Sequence, residues 1–183
     1  VRHLTWAELE TGLETIKQAP KDRGRLELIV RRPHVGAREV LEIGELSVEE
    51  GLVGDSWNRR RHPRSPDGSP LPDTQLNVMN ARAIALIAQD RSRWQLAGDQ
   101  LFLDMDISPE NLPAGTRLEI GTAVIEVTAE PHTGCAKFVE RFGVDAMKFV
   151  NSTVGRAHNL RGLNARVVRP GTISVGDLAS KQR

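Results

Sequence analysis

From Arg117 to Val127 the chain reads Arg-Leu-Glu-Ile-Gly-Thr-Ala-Val-Ile-Glu-Val, two β-rich segments folded about Gly121-Thr122. That pattern constrains the fold more than any other, because short units of the same kind recur along the chain. Arg25–Val30 and Glu39–Ile43 read as strands joined by the turn Pro33-His34-Val35-Gly36. In the first of them Leu26, Leu28 and Val30 alternate, which predicts one buried face. Gln75–Met79 reads as another strand, and Asn164–Arg169 with Thr172–Asp177 predicts a terminal hairpin about Pro170-Gly171. Many short strands separated by Gly/Pro turns, with a few helices between them, favour a closed or nearly closed β-barrel over a doubly wound sheet. The expected class is mainly β with several helices (α+β), in one domain spanning 1–183.

The helices announce themselves by caps and spacing. Thr5-Trp6-Ala7-Glu8 fits a capping box, and Trp6, Leu9, Leu13 and Ile16 then share a face until Ala19-Pro20, predicting one N-terminal helix within residues 1–20. Asn80 caps a second, with Ala83, Ile84, Ile87 and Ala88 on one face. A weaker pattern runs through Val144–Val150, and the stretch from Asn151 to Asn159 is polar. Between Ser56 and Asp73 lie four prolines and four arginines without apolar periodicity, so 56–73 is expected to be an ordered loop or a mobile flap. Loops of that length are uncommon in compact domains unless they serve a function. Its arginines suit a phosphate or another anion, and equally a solvated basic patch.

Charge narrows the functional classes. Twenty-five basic against 24 acidic side chains leave +1, which argues against bulk electrostatic binding of nucleic acid. The N-terminal residues show no apolar leader core and no later run is apolar enough to span a bilayer, so no membrane partner is expected. A single cysteine makes no internal disulfide, and a cytoplasmic, reducing setting is the expectation.

That cysteine carries the chemistry. Strand Ala123–Thr128 ends at Glu130-Pro131-His132-Thr133-Gly134-Cys135, after which Phe138, Val139 and Phe142 continue a helical face. A thiol at a helix start, with Lys137, His132 and Arg141 close in sequence, meets conditions that favour the thiolate, the form that attacks electrophiles or binds metal. The plain alternative is a small buried hydrophobe. His132 and His158 are the nearest partners for a nucleophilic Cys–His pair, while a turn histidine is as readily structural. The five histidines show none of the paired spacings of a zinc site, and no Walker A, GxGxxG, HExxH or GxSxG motif is present. Asp55, Asp99, Asp106 and Glu110 all stand beside turns, where backbone amides are their expected partners.

Taken in order, several of these pieces resemble the MOSC domain, named for the C-terminal domain of molybdenum cofactor sulfurases. They are the Gly51/Gly54/Asp55 turn, the strand–helix Gln75–Ala88, Glu110-Asn111-Leu112, Arg117–Gly121, the strand from Ala123 and the cysteine beyond it. Arg161-Gly162, Ala165–Val167 and Gly171–Asp177 fit stand-alone bacterial members, so the resemblance covers about Gly24 to Asp177. It implies a MOSC-type β-barrel and a role in sulfur transfer or molybdenum-dependent reduction. Cys135 would then carry sulfur as a persulfide or ligate molybdenum, with His132 as its catalytic companion. The resemblance and charge together nominate Lys137, Arg141, Arg161, Arg166, Asp55 and Asn111 to hold a molybdenum cofactor (molybdopterin). It also implies a cysteine desulfurase or redox protein as partner, while no pyridoxal-phosphate domain is part of this sequence. Two other classes stay open: a barrel that binds a small anion through the 59–64 arginines without chemistry, and a cofactor-free cysteine hydrolase using Cys135 and His132.

Overall fold

The computed structural model describes residues 1–182. Its strands are β1 (Gly24–Arg31), β2 (Glu39–Leu41), β3 (Ile43–Ser47), β4 (Gly51–Leu52), β5 (Leu76–Asn80), β6 (Leu101–Asp104), β7 (Arg117–Ile120), β8 (Ala123–Val127), β9 (Leu163–Arg169), β10 (Gly171–Ser174) and β11 (Leu178–Lys181). The order β11-β7-β8-β9-β5-β6-β1, with β1 returning to β11, closes a barrel of seven strands. One edge of β1 is divided between β11 at its start and β2 at its end. β5 and β6 are the parallel pair, because a helix and a 3-10 stretch cross over between them.

Strand periodicity separates two cores on either side of the barrel wall. Leu101 and Leu103 point into the barrel while Phe102 points out, and Val78 and Met79 divide in the same way. The outer core is completed by helices α1 (Trp6–Thr11), α2 (Leu13–Lys17), α3 (Ala81–Ala88), α4 (Ala136–Phe142), α5 (Val144–Asn151) and α6 (Thr153–Ala157). The alternation expected in β1 is broken. A bulge between Leu26 and Leu28 puts Leu26 and Ile29 inside the barrel and Leu28 and Val30 under the helices, so the strand is buried on both faces.

Two further expectations change. The N-terminal helix is two helices that meet at Gly12, where the backbone approaches α3 so closely that a Cβ would stand 2.6 Å from the Leu86 side chain. The terminal hairpin does not form: past Pro170 the chain leaves the barrel and β10 pairs with β3 in a small β10-β3-β4 sheet, while β9 keeps β8 on one edge and, on the other, β5 at Leu163–Ala165 and the Gln75 side chain at Val167 N–H. The polar stretch after Asn151 is helical in α6, whose first turn is capped by the Ser152 hydroxyl accepting from Gly155 N–H at 3.0 Å. The hairpin at Gly121-Thr122 and the caps at Thr5 and Asn80 form as the sequence predicts. No helix among the described residues is long and apolar enough to cross a membrane.

Candidate functional site

Cys135 is the N-cap residue of α4, extended in backbone and exposed in side chain. The segment that carries it out of β8 is clamped by two asparagines. From β9, Asn164 donates to the Glu130 and Pro131 carbonyls at 3.0 and 3.2 Å. From α5, the Asn151 side chain accepts from Gly134 N–H at 2.8 Å and donates to the Gly134 carbonyl at 3.2 Å. Phe138 and Phe142 are buried and fix α4 on the outer core, while Cys135, on the turn before them, stays out of it.

Beside Cys135 opens a cleft of about 380 Å³ lined by Arg32, Arg38, Arg60, Lys137, Arg141 and Arg161, together with His132, Asn77 and Phe138. Two of these cations are neutralised from below. Arg32 grips Asp55 through Nε at 3.0 Å and Nη2 at 2.8 Å, and Arg161 Nη1 meets Asp99 at 2.7 Å, with both carboxylates fully buried. Among the described residues, Arg38, Arg60, Lys137 and Arg141 have no carboxylate within 4.0 Å. Arg38 and Arg60 are displaced below the usual guanidinium value, first by burial and then by neighbouring arginines. The cleft therefore concentrates positive charge that the fold itself leaves uncompensated.

Beneath it runs a polar network that the sequence did not disclose. Asp99 was expected to bind backbone amides; instead it holds Arg161 on Oδ2 and His132 Nε2 on Oδ1 at 2.9 Å. Burial pushes the Asp99 carboxyl up, but Arg161 and His132 outweigh it and bring the group down to about 2. Asp55 likewise ends below the ordinary carboxylate range, with the Arg32 hydrogen bonds overcoming burial, and it also accepts from Trp57 N–H. His132 moves below the ordinary histidine value because of burial and the Arg161 charge, which Asp99 only partly offsets. A neutral ring beside an ionised carboxylate places its proton on Nε2, so Nδ1 carries the free lone pair. Gly162 makes room for this pairing. Its φ of +111° is outside the range of other residues, and a Cβ there would lie 2.5 Å from the Val78 carbonyl and 3.2 Å from Asp99 Oδ1.

Of the residues nominated from sequence, Cys135, His132, Lys137, Arg141 and Arg161 meet in this cleft. Asp55 lies under it and acts through Arg32. Arg166 does not reach it: β9 turns this side chain outward onto Glu126 and Asp73. Asn111 is not in the lining either, and ties Lys21, Asp106 and Lys181 together instead. His158 caps α6 and is not part of the lining. The residues missed were Asp99 as a charged partner, Asn77, Gln100, Asn151 and Asn164. The sequence carried no signal for these beyond the Gly98-Asp99 turn, which the structure shows to be left-handed at Gly98.

The 56–73 segment is ordered by 3-10 turns at Trp57–Arg59 and Pro72–Thr74 and pinned at both ends. Arg59 donates to the Pro33 carbonyl at 2.5 Å, and Arg64 pairs with Glu130, at the entry to the cysteine segment.

A closed seven-stranded barrel with helices packed outside it, and one exposed thiol beside a basic cleft, is the class of small β-barrel protein that the geometry defines. The MOSC domain model matches residues 72–179, more than half of the sequence, and the chain belongs to the MOSC domain family. Solved structures agree in fold. The YuaD protein from Bacillus subtilis superposes with a TM-score of 0.60 at 17% identity, covering 87% of this chain and 97% of its own. YiiM from Escherichia coli gives 0.55 at 20% identity, with 87% and 70% covered. A third, described only as a hypothetical protein, gives 0.56 at 22% identity, with 87% and 69% covered. No curated protein matches the sequence at a significant level.

Proposed function

We propose that this protein is a molybdenum-cofactor protein of the MOSC family in which Cys135 supplies a soft sulfur ligand to the metal and the surrounding cations hold the cofactor's phosphate. The observation that carries the reading is one cleft containing both an exposed thiol and four cations without carboxylate partners. The residues fit such a group in one further respect. Arg161 is buried, yet its Nε has no hydrogen-bond partner, so a donor beside the cleft is still unused. Among the described residues no three His, Cys, Asp or Glu side chains are grouped to hold a metal ion. Cys135 would offer one soft ligand, and the cofactor itself would have to supply the remainder.

When bound, the cofactor supplies two-electron redox chemistry at molybdenum. The protein's own part follows from its side chains. Lys137, Arg38 and Arg141 attract and orient a phosphate, with Arg141 itself steadied on the Leu96 carbonyl at 2.7 Å. Phe138, under the Arg161 guanidinium at 5.0 Å, gives the cleft an apolar floor. His132, neutral and fixed by Asp99, presents Nδ1 as a proton acceptor at neutral pH.

Native mass spectrometry on protein purified anaerobically from cells that make molybdenum cofactor tests this. The expected result is a bound pterin species and molybdenum on the wild type, with both lost from Cys135→Ser and from Lys137→Glu/Arg141→Glu. One extra sulfur on Cys135 without pterin would replace this reading with that of a persulfide carrier. A bare wild-type polypeptide would overturn both.

A further inference from the structure

The cysteine cleft has a second lobe that the cofactor reading leaves unused. Under the 56–73 segment lies a cavity of about 290 Å³, near the lower end of the roughly 300–1,000 Å³ of small-molecule sites. Arg32, Arg60, Asn77 and His132 line both lobes, so the two adjoin at these residues. The far wall is Trp57, Pro70, Leu71 and Pro131.

Most polar groups in this lobe are already committed. Arg32 spends its nitrogens on Asp55, Asn77 and the Gly98 carbonyl. Asn77 and Asn164 bind one another at 2.7 Å. The Trp57 indole N–H donates to Thr74 Oγ1 at 3.2 Å, and that hydroxyl donates on to the Leu71 carbonyl. What remains is cationic or N–H in character. Arg60 uses Nε and Nη2 on the single oxygen of Ser56, and among the described residues Arg61 makes no side-chain hydrogen bond or ion pair. His62 accepts from Arg64 N–H on Nδ1, which leaves its Nε2–H free beside them. A lobe whose uncommitted donors are two adjacent guanidinium groups and one ring N–H selects an acceptor that carries negative charge, and its apolar wall selects a flat or apolar body behind that head.

We infer that this lobe is the substrate subsite, taking a small molecule with a carboxylate or phosphate head held by Arg60 and Arg61 and a planar body against Trp57, so that its other end passes His132 toward Cys135. The word substrate rests on the function proposed above; the binding itself does not, since Arg61 lies outside the cofactor lobe and Arg60 is shared between the two.

Tryptophan fluorescence of the full chain, at fixed ionic strength, tests the binding with benzoate, phenyl phosphate and the neutral isostere benzamide. Trp6 and Trp94 sit in the helical core, and Trp57→Phe assigns the signal. The expected result is saturable quenching by benzoate or phenyl phosphate, the stronger of the two naming the head group, with benzamide at least tenfold weaker. Arg61→Gln should weaken the anion at least tenfold and leave benzamide unchanged. Cys135→Ser should bind the anion as the wild type does, so loss of pterin in that variant with anion binding intact would separate the two claims. Equal binding of benzamide, no saturation by either anion, or no effect of Arg61→Gln would overturn the inference.

Discussion

At the scale of single residues, Asp99 holds the site together, since it anchors both the imidazole and a buried guanidinium. Arg161 is only 6% exposed, so Asp99→Asn leaves its charge without a partner. Breaking a buried pair from one side costs on the order of 3–5 kcal/mol. Urea denaturation should show a loss of that size, and Asp99→Leu combined with Arg161→Met should cost less than Asp99→Asn alone. The same carboxylate fixes the histidine. Long-range nitrogen–proton NMR at pH 7 should find the His132 ring neutral with its proton on Nε2, and Asp99→Asn should release that tautomer. Neither group was legible in the sequence as part of a pair. Asp99 stands in a Gly-Asp turn, where binding a local amide is the ordinary outcome, and the partner that changes its role is 62 residues away on another strand approach. Cys135, by contrast, could be read directly, because its strand–turn–helix setting is local.

At the scale of elements, the cysteine segment is positioned by neighbours rather than by its own sequence. Asn151 binds both backbone groups of Gly134, and a Cβ on Gly134 would meet Val150 and Asn151 at 3.2 and 3.3 Å. Asn151→Ala leaves those two groups to solvent or unsatisfied, a loss of about 1–3 kcal/mol. Hydrogen exchange should quicken at Gly134 and Cys135 and stay unchanged in β5, β6 and β9. Elements with local causes were the ones the sequence revealed: the hairpin at Gly121-Thr122, the caps at Thr5 and Asn80, the helix after Cys135. Those decided by competition for space were not. β10 forms no hairpin with β9 because β3 takes it as a partner instead, and the break between α1 and α2 falls where Gly12 packs closely on Leu86 of α3. The arginine loop is a mixed case. Its arginines were visible in the sequence, but which two face the cleft depends on Pro33 and Glu130 capturing Arg59 and Arg64.

At the scale of the whole molecule, the buried network couples the site to the stability of the barrel through pH. Asp99 falls to about 2 in the fold, against about 3.9 in an unfolded chain, so its contribution is complete above about pH 4 and lost as pH falls toward 2. Asp55, lowered by Arg32, acts in the same direction. His132 adds an earlier stage of the same sign. Its folded value lies below the ordinary 6.5 or so, hence the unfolded ring takes up a proton that the folded one resists, and stability drops as pH falls below about 6.5. The charged groups that face it are Arg161 and Arg32, which disfavour its protonation, and Asp99, which favours it less strongly than burial and Arg161 oppose it. Urea titrations at fixed pH should therefore show a decline in two stages. His132→Gln keeps a donor toward Asp99 but does not titrate, so the difference between variant and wild type should be constant above pH 7 and move in favour of the variant between about pH 6.5 and 5. A difference that does not change over that interval would mean the imidazole is free to protonate in the fold, and the neutral acceptor at Nδ1 would be lost with it.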